Sequence, residues 1–295
     1  PADGDDENVE EWPDRYVFEV VISAGRLPQL IRSVSALLPP RLYPILDIIG
    51  YDAFREIDAY ISYELVGRDR FLDALRRFGP VFFEDGWCGI GAMRDAPFCY
   101  MFLDEHKVLT IRCTEEQREQ VEAILQAFDL EQIDQPAAAD FAAHEHRSVV
   151  FAPPKRPELL SFDEICDVLR DEWRLVLNVD SEQNLDESGQ ALGVVAWRCH
   201  LQLRFSDEPS EMYAEVLLEA GSLSEADFLA QRAAEQMLGG IDRLCEDARM
   251  LQADRLVKAE ADTALKDFKA DAAGEFLSHR QTIGEPGVLG ARWLV

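Results

Sequence analysis

The sequence predicts an α+β fold of two antiparallel-sheet domains, each with helices packed on one face, and a long helix added at the C-terminal end. Three patterns predict it. Residues 98–113 hold two alternating apolar runs around the polar Asp104-Glu-His-Lys107, the signature of a hairpin. Residues 193–205 alternate Trp197, Cys199, Leu201, Leu203 and Phe205 with Arg198, His200, Gln202 and Arg204, the period of a half-buried strand. Between such runs, apolar residues recur every three or four positions, and several of these segments open on a Ser or Thr with an acid or amide three residues later.

The first domain is placed at 15–130. The arm before it, 1–14, holds seven acids and no base, so it buries too little to fold alone and reads as mobile rather than as a signal or transit segment. Residues 15–22 form a strand. Leu27, Leu30, Ile31, Val34, Leu37 and Leu38 stripe a helix that Pro39-Pro40 stops. Strands at 42–49 and 56–65 join around Gly50-Tyr51-Asp52, the second burying Ile57, Ala59, Ile61, Tyr63 and Leu65. Phe71, Leu72, Leu75 and Phe78 mark another helix, ended by Gly79-Pro80. A glycine-rich strand at 87–93 leads into the hairpin. A four-residue turn there sets Leu103 opposite Val108, Phe102 opposite Leu109, Tyr100 opposite Ile111 and Phe98 opposite Cys113. In that register Cys99 and Cys113 face opposite sides and cannot be bridged. Thr114-Glu-Glu-Gln117 reads as a capping box for a helix turning Val121, Ile124, Leu125 and Phe128 inward. The order is similar to a ferredoxin-like unit carrying an extra hairpin.

A linker is placed at 131–145 and a second domain at 146–240. A short strand at 148–152 opens it, and Ser161-Phe-Asp-Glu164 is a second capping box. Strands at 173–179, 193–205 and 211–220 follow, then a helix capped by Ser224. After Gly239-Gly240, the spacing of Ile241, Leu244, Ala248, Leu251, Leu256, Leu265 and Phe268 predicts one helical extension over 241–280. The tail, 281–295, reads as irregular. The α-β-β-β-α order of this domain is similar to that of the small acidic secretion-chaperone and sensory-regulator folds, which implies partner segments bound on sheet or helix faces.

A formal charge of −28 repels phosphate backbones and anionic lipid, so nucleic acid and membrane are excluded as expected partners. The acids are dispersed over helix faces, which argues against a nucleic-acid mimic. Six cysteines without a C-x-x-C pair exclude the zinc-ribbon and thioredoxin signatures and read as reduced thiols of a cytoplasmic protein.

Gly86-Trp-Cys-Gly-Ile-Gly91 has the spacing of a phosphate loop but precedes more strand pattern, so close backbone packing is the better account and no cofactor is expected. His144 and His146 share one side of an extended segment and could hold a divalent cation, although no third ligand is identifiable. Asp104, Glu105 and His106 at the hairpin tip, Glu84-Asp85, and Asp58 with Glu64 are candidate acid–base groups and also ordinary residues of turns and wet strands. Arg198, His200 and Arg204 make a basic ribbon on one strand face, suited to an anion or an acidic partner peptide; Glu215 and Glu219 on the next strand are the competing partners. The expectation is therefore a non-catalytic binding protein, an adaptor, regulator or chaperone-like molecule that acts through sheet faces and the C-terminal helix, on another protein or on itself. The alternative is a metal-dependent or carboxylate-based hydrolase with its site between the domains.

Overall fold

The computed structural model describes residues 15–134, 143, 146, 159–205, 211–238, 245–270, 276–277 and 285–294. The arm at 1–14, the strand expected at 148–152 and His144 lie outside the described residues. The fold is mixed α+β with two antiparallel sheets, and it divides into a unit of Pro1–Ile48 with Ala59–Leu177 and a unit of Ile49–Asp58 with Asn178–Val295.

The elements of the first unit are β1 (Arg15–Val20), α1 (Leu27–Ser35), β2 (Arg41–Ile49), β3 (Ile57–Ser62), β4 (Val66–Gly67), α2 (Arg68–Arg77), α3 (Gly79–Phe83), β5 (Cys88–Asp95), β6 (Phe98–Leu103), β7 (Leu109–Thr114), α4 (Glu115–Ala127), α5 (Phe162–Trp173) and β8 (Leu175–Leu177). Its strands run in the order β1-β7-β6-β5-β2-β3-β8, with β4 beside β2. A ferredoxin-like split β-α-β unit sets one strand between two helix-linked strands, whereas β1 lies at the sheet edge and β7, β6 and β5 all stand between it and β2. One core gathers the helices on one sheet face: Leu30, Ile31 and Val34 of α1, Phe71 and Ala74 of α2, Val121 of α4 and Leu169 and Trp173 of α5 meet Cys88, Ile90, Met101, Leu103 and Ile111. Expected within a second domain at 146–240, α5 packs in this core, where Trp173 is fully buried with its ring 5.6 Å from that of Phe71. Its capping box forms as expected, Ser161 Oγ accepting from Glu164 N and Glu164 accepting from Ser161 N. Thr114 stands at the N-cap of α4 without the capping hydrogen bond expected of its side chain.

Two expectations about strand faces are overturned. In β3 the structure buries Asp58, Tyr60 and Ser62 and leaves Ile57, Ala59 and Ile61 half-buried, while Tyr63 is exposed. Tyr60 joins the helix-side core, so the aromatic ring sets the face against the apolar alternation. In the hairpin the pairing is shifted by one residue, with Leu103 opposite Leu109, Phe102 opposite Thr110, Met101 opposite Ile111 and Tyr100 opposite Arg112. Lys107 N donates to Asp104 O, Lys107 is left-handed at φ 65°, and Asp104 N donates to Val108 O. This is a three-residue loop with a bulge at Lys107, and the bulge absorbs the residue that a four-residue turn would have paired. Cys99 and Cys113 consequently stand directly opposite each other on the buried face.

Gly89 and Gly91 lie inside β5 under the Phe102 ring, the close packing expected of them. A Cβ on Gly91 would meet the Met101 carbonyl oxygen and sit 2.6 Å from Phe102 Cδ2. Since the carbonyl belongs to the paired strand and cannot swing away, Gly91→Ala should cost about 1–3 kcal/mol, read from a urea midpoint.

The second unit holds β9 (Val195–Phe205), β10 (Glu211–Ala220), α6 (Leu223–Met237), β11 (Cys245–Leu256), α7 (Lys258–Ala270), β12 (Phe276–Leu277) and β13 (Gly287–Leu294), with strand order β11-β9-β10-β13-β12. Ala226, Ala230, Ala233 and Ala234 of α6 pack on Trp197, Cys199, Leu201 and Leu203. Ala264 and Phe268 of α7 pack on Leu217 and Leu256 from the other side. This sheet therefore carries helices on both faces rather than one.

The long helix expected over 241–280 is not formed. Residues 245–256 are a strand on β9, and the helix is the 13-residue α7. Irregularities between Cys245 and Asp247 and between Met250 and Gln252 break the two-residue period. Met250 and Ala253 consequently pack on the same cluster three residues apart, which mimics helical spacing. The supposedly irregular tail contains β13, paired with β10 along its length. Ser222, not Ser224, caps α6, its Oγ accepting from Glu225 N. No helix among the described residues is long and apolar enough to cross a membrane.

Candidate functional site

In the first unit, α1 presents Pro28, Ile31 and Arg32 one turn apart, and α2 presents Asp69, Leu72, Asp73 and Arg76 at the same helical spacing. These stripes face each other across a groove of about 420 Å³ whose apolar lining is completed by Leu75 and by Phe83 of α3. The helices form here for local reasons. Proline at the start of α1 needs no N–H partner, and α2 follows the extended Gly67 cap with Phe71, Ala74 and Leu75 turned into the core. Charge is unevenly placed on the rim. No acid occurs in α1, whose Arg32 is exposed, whereas Asp73 is taken by Arg76 Nη2 at 2.7 Å and Arg77 Nε at 3.0 Å. The hydrogen bond from Arg76 holds the Asp73 carboxyl below the usual carboxylate range. The sequence marks both helices but not the groove between them.

The hairpin tip of the same unit brings together several residues singled out in the sequence. Lys107 Nζ donates to the carbonyls of Cys88 (3.1 Å) and Asp104 (3.4 Å), and burial lowers its pKa. His106 Nδ1 stands 3.3 Å from Glu105 Oε1. The rings of His106 and His146 are 5.1 Å apart, and His146 Nδ1 lies 2.9 Å from Gly86 O, a contact that requires the proton on that nitrogen. Asp85 accepts from Trp87 N at 2.8 Å. On β2, Asp47 faces Gly89, and its Oδ1 is buried with no hydrogen-bond partner among the described residues. Burial, then the charge of Glu105, pushes Asp47 up to about 6. The arrangement can hold and exchange a proton near that pH. Among the described residues no three His, Cys, Asp or Glu side chains are placed to share a metal ion.

In the second unit Arg198, His200 and Arg204 do share a face of β9, and carboxylates of β10 meet them. Glu215 lies 3.4 Å from Arg198 Nε and 3.7 Å from His200 Nε2, and it accepts from Arg292 Nε at 2.7 Å. Arg204 Nε stands 3.4 Å from Glu211 Oε1. Burial raises the Glu215 pKa, but the bonds from His200 and Arg292 outweigh it and the net shift is downward. Asp254 of β11 sits opposite Arg198 and is almost fully buried. Its Oδ2 accepts from Gln252 Nε2 at 2.6 Å, while Oδ1 has no hydrogen-bond partner among the described residues.

Among the described residues the most deeply buried ion pair joins Asp52 to Arg255. The Asp52 carboxylate accepts from Arg255 Nε (2.8 Å), Arg255 N (2.9 Å) and Phe54 N (2.9 Å). Arg255 Nη1 donates to Asn184 Oδ1 (3.0 Å) and Leu185 O (2.6 Å). Sequence reasoning missed this pair because its members are 203 positions apart and neither stands in a motif.

No protein-family model, curated protein or solved structure matches the chain. The reading of its function rests on the chemistry of the groove and of the polar clusters.

Proposed function

We propose that this is a non-catalytic binding protein whose first unit takes an amphipathic segment of a partner protein into the groove between α1 and α2. The observation that carries the reading is the groove's composition, an apolar lining of Pro28, Ile31, Leu72, Leu75 and Phe83 beside the exposed Arg32 of an acid-free helix. Helix-in-groove recognition uses such a surface, with apolar anchors inserted and charges at the rim fixing orientation. In a chain of charge −28, the exposed Arg32, on a rim that also carries Asp69 and the paired Asp73 and Arg76, selects a segment whose apolar anchor is followed one turn later by a carboxylate. One aromatic anchor buries about 200 Å². At ~25 cal/mol/Å² that is about 5 kcal/mol before association costs of similar size, which places the contact in the weak, transient class. The polar clusters favour binding over chemistry, because Glu215, Glu211 and Asp52 are already engaged by arginines.

The test is a pair of fluorescent helical peptides that share two leucine anchors and differ only in carrying glutamate or lysine one turn beyond them. Anisotropy should show saturable binding of the glutamate peptide, about tenfold weaker to Arg32→Glu, with the lysine peptide showing the reverse preference. Leu72→Glu should abolish both. Equal binding of both peptides to the parent and to Arg32→Glu, or none at all, would remove the groove as the site.

A further inference from the structure

We propose that Cys99 and Cys113 form a redox site, a cross-strand dithiol that closes to a disulfide within the first sheet. The phase of the hairpin ladder carries the argument. Asp104 N donates to Val108 O at 3.1 Å, so this pair is a hydrogen-bonded site. Such sites alternate with non-hydrogen-bonded ones along an antiparallel pair. The register runs unbroken from Leu103–Leu109 to Cys99–Cys113. Stepping from the tip makes 103–109, 101–111 and 99–113 the non-hydrogen-bonded pairs. In those the Cα atoms are about 4.5 Å apart, inside the ~4.4–6.8 Å that a disulfide spans. Both side chains point to the helix-side core, where both residues are almost fully buried as thiols. The bridge needs no new volume, since it forms by losing two hydrogens. Burial, followed by the neighbouring Cys113, raises the Cys99 thiol to about 11, which keeps the folded pair slow to react.

The chemistry is thiol–disulfide exchange with a small disulfide such as oxidised glutathione. Cys113 stands one strand in from the edge, opposite Tyr16 of β1, and is reached first when β1 frays. Its thiolate attacks one sulfur of the small disulfide and expels a thiolate, leaving a mixed disulfide. The Cys99 thiolate then displaces the second small thiol. Two protein thiols are oxidised, one small disulfide is reduced to two thiols, and both protons leave with them.

Refolding the reduced full-length chain in glutathione buffers of graded ratio, rather than oxidising the native protein, removes the barrier of burial. After alkylation and tryptic digestion, peptide 95–107 should be found joined to peptide 113–118. The ratio at which this occurs should be about tenfold or more reducing than for the same chain held in concentrated guanidinium chloride, because the sheet raises the effective concentration of the thiols. Cys99→Ala and Cys113→Ala should each abolish the linkage while leaving the circular-dichroism spectrum unchanged. A chain that keeps six thiols across the series would overturn the assignment. So would joining at equal ratios with and without denaturant, or preferential bridging of another pair such as Cys88 with Cys166.

Discussion

Asp52→Ala should lower the stability of the second unit by about 3–5 kcal/mol, because it leaves the Arg255 guanidinium buried without its counter-ion. Arg255 is 3% exposed and the Asp52 side chain 0%, so solvent cannot take over the lost bonds. An exposed pair would be worth about 1 kcal/mol or less. Three donors lose their acceptor at once, namely Arg255 Nε, Arg255 N and Phe54 N. The remaining contacts hold the guanidinium in place, Nη1 on Asn184 and Leu185 and the faces of Phe54 and Trp197 within 5.7 Å, so it cannot turn to water cheaply. Urea unfolding, followed by amide hydrogen exchange in β9 and β10, measures the loss where it arises. Replacing both partners with apolar residues, Asp52→Leu with Arg255→Met, should recover most of the stability, since the desolvation cost disappears with the charges. A single variant that loses no more than about 1 kcal/mol would mean that water reaches the pair.

The sequence made short-range features legible and long-range ones not. The Ser161 capping box, the stripes of α1 and α2 and the full length of β10 are local patterns, and each stands where three-to-four-residue or two-residue spacing places it. Alternation places the hairpin, but a four-residue turn sets its register one residue off, because Lys107 adopts a left-handed conformation that propensity assigns to glycine or asparagine. That slip decided whether Cys99 and Cys113 could meet. In β11, two ladder irregularities turned a strand into an apparent helix, and in β3 the packing of Tyr60 reversed the face that alternation predicts. The basic ribbon of Arg198, His200 and Arg204 was legible as a face, and so was its pairing with Glu215, a cross-strand neighbour of His200. Arg292, the closest arginine to Glu215, comes from β13, where glycine-rich sequence masks a central strand. The groove depends on how two helices sit against one sheet, which no window of sequence encodes.

Asp254→Asn should make the protein more stable at neutral pH and leave it unchanged in acid. Burial is the largest cause of the raised Asp254 pKa, followed by the charges of Asp58 and Asp52, and together they bring it to about 6 from an ordinary 3.8. The folded state therefore keeps a proton that the unfolded chain releases. Where the native state binds more protons, stability falls as pH rises. The contribution is complete below about pH 4, declines as the unfolded carboxyl ionises, and is gone once the folded group ionises above about pH 6. The rise from 3.8 to about 6 corresponds to about 3 kcal/mol. Asparagine keeps an oxygen for Gln252 Nε2 and carries no charge to desolvate. The whole acidic chain also repels itself more as pH rises, so the quantity to measure is the difference between parent and variant in urea midpoint. It should be near zero at pH 3.5 and grow to about 2–3 kcal/mol in favour of asparagine by pH 7.5. Asp47→Asn in the first unit should trace the same curve, and the two variants should add, since their sites share no partner. A flat difference across this range would show that Asp254 ionises in the fold as readily as in water, and that the orphaned Oδ1 is solvated after all.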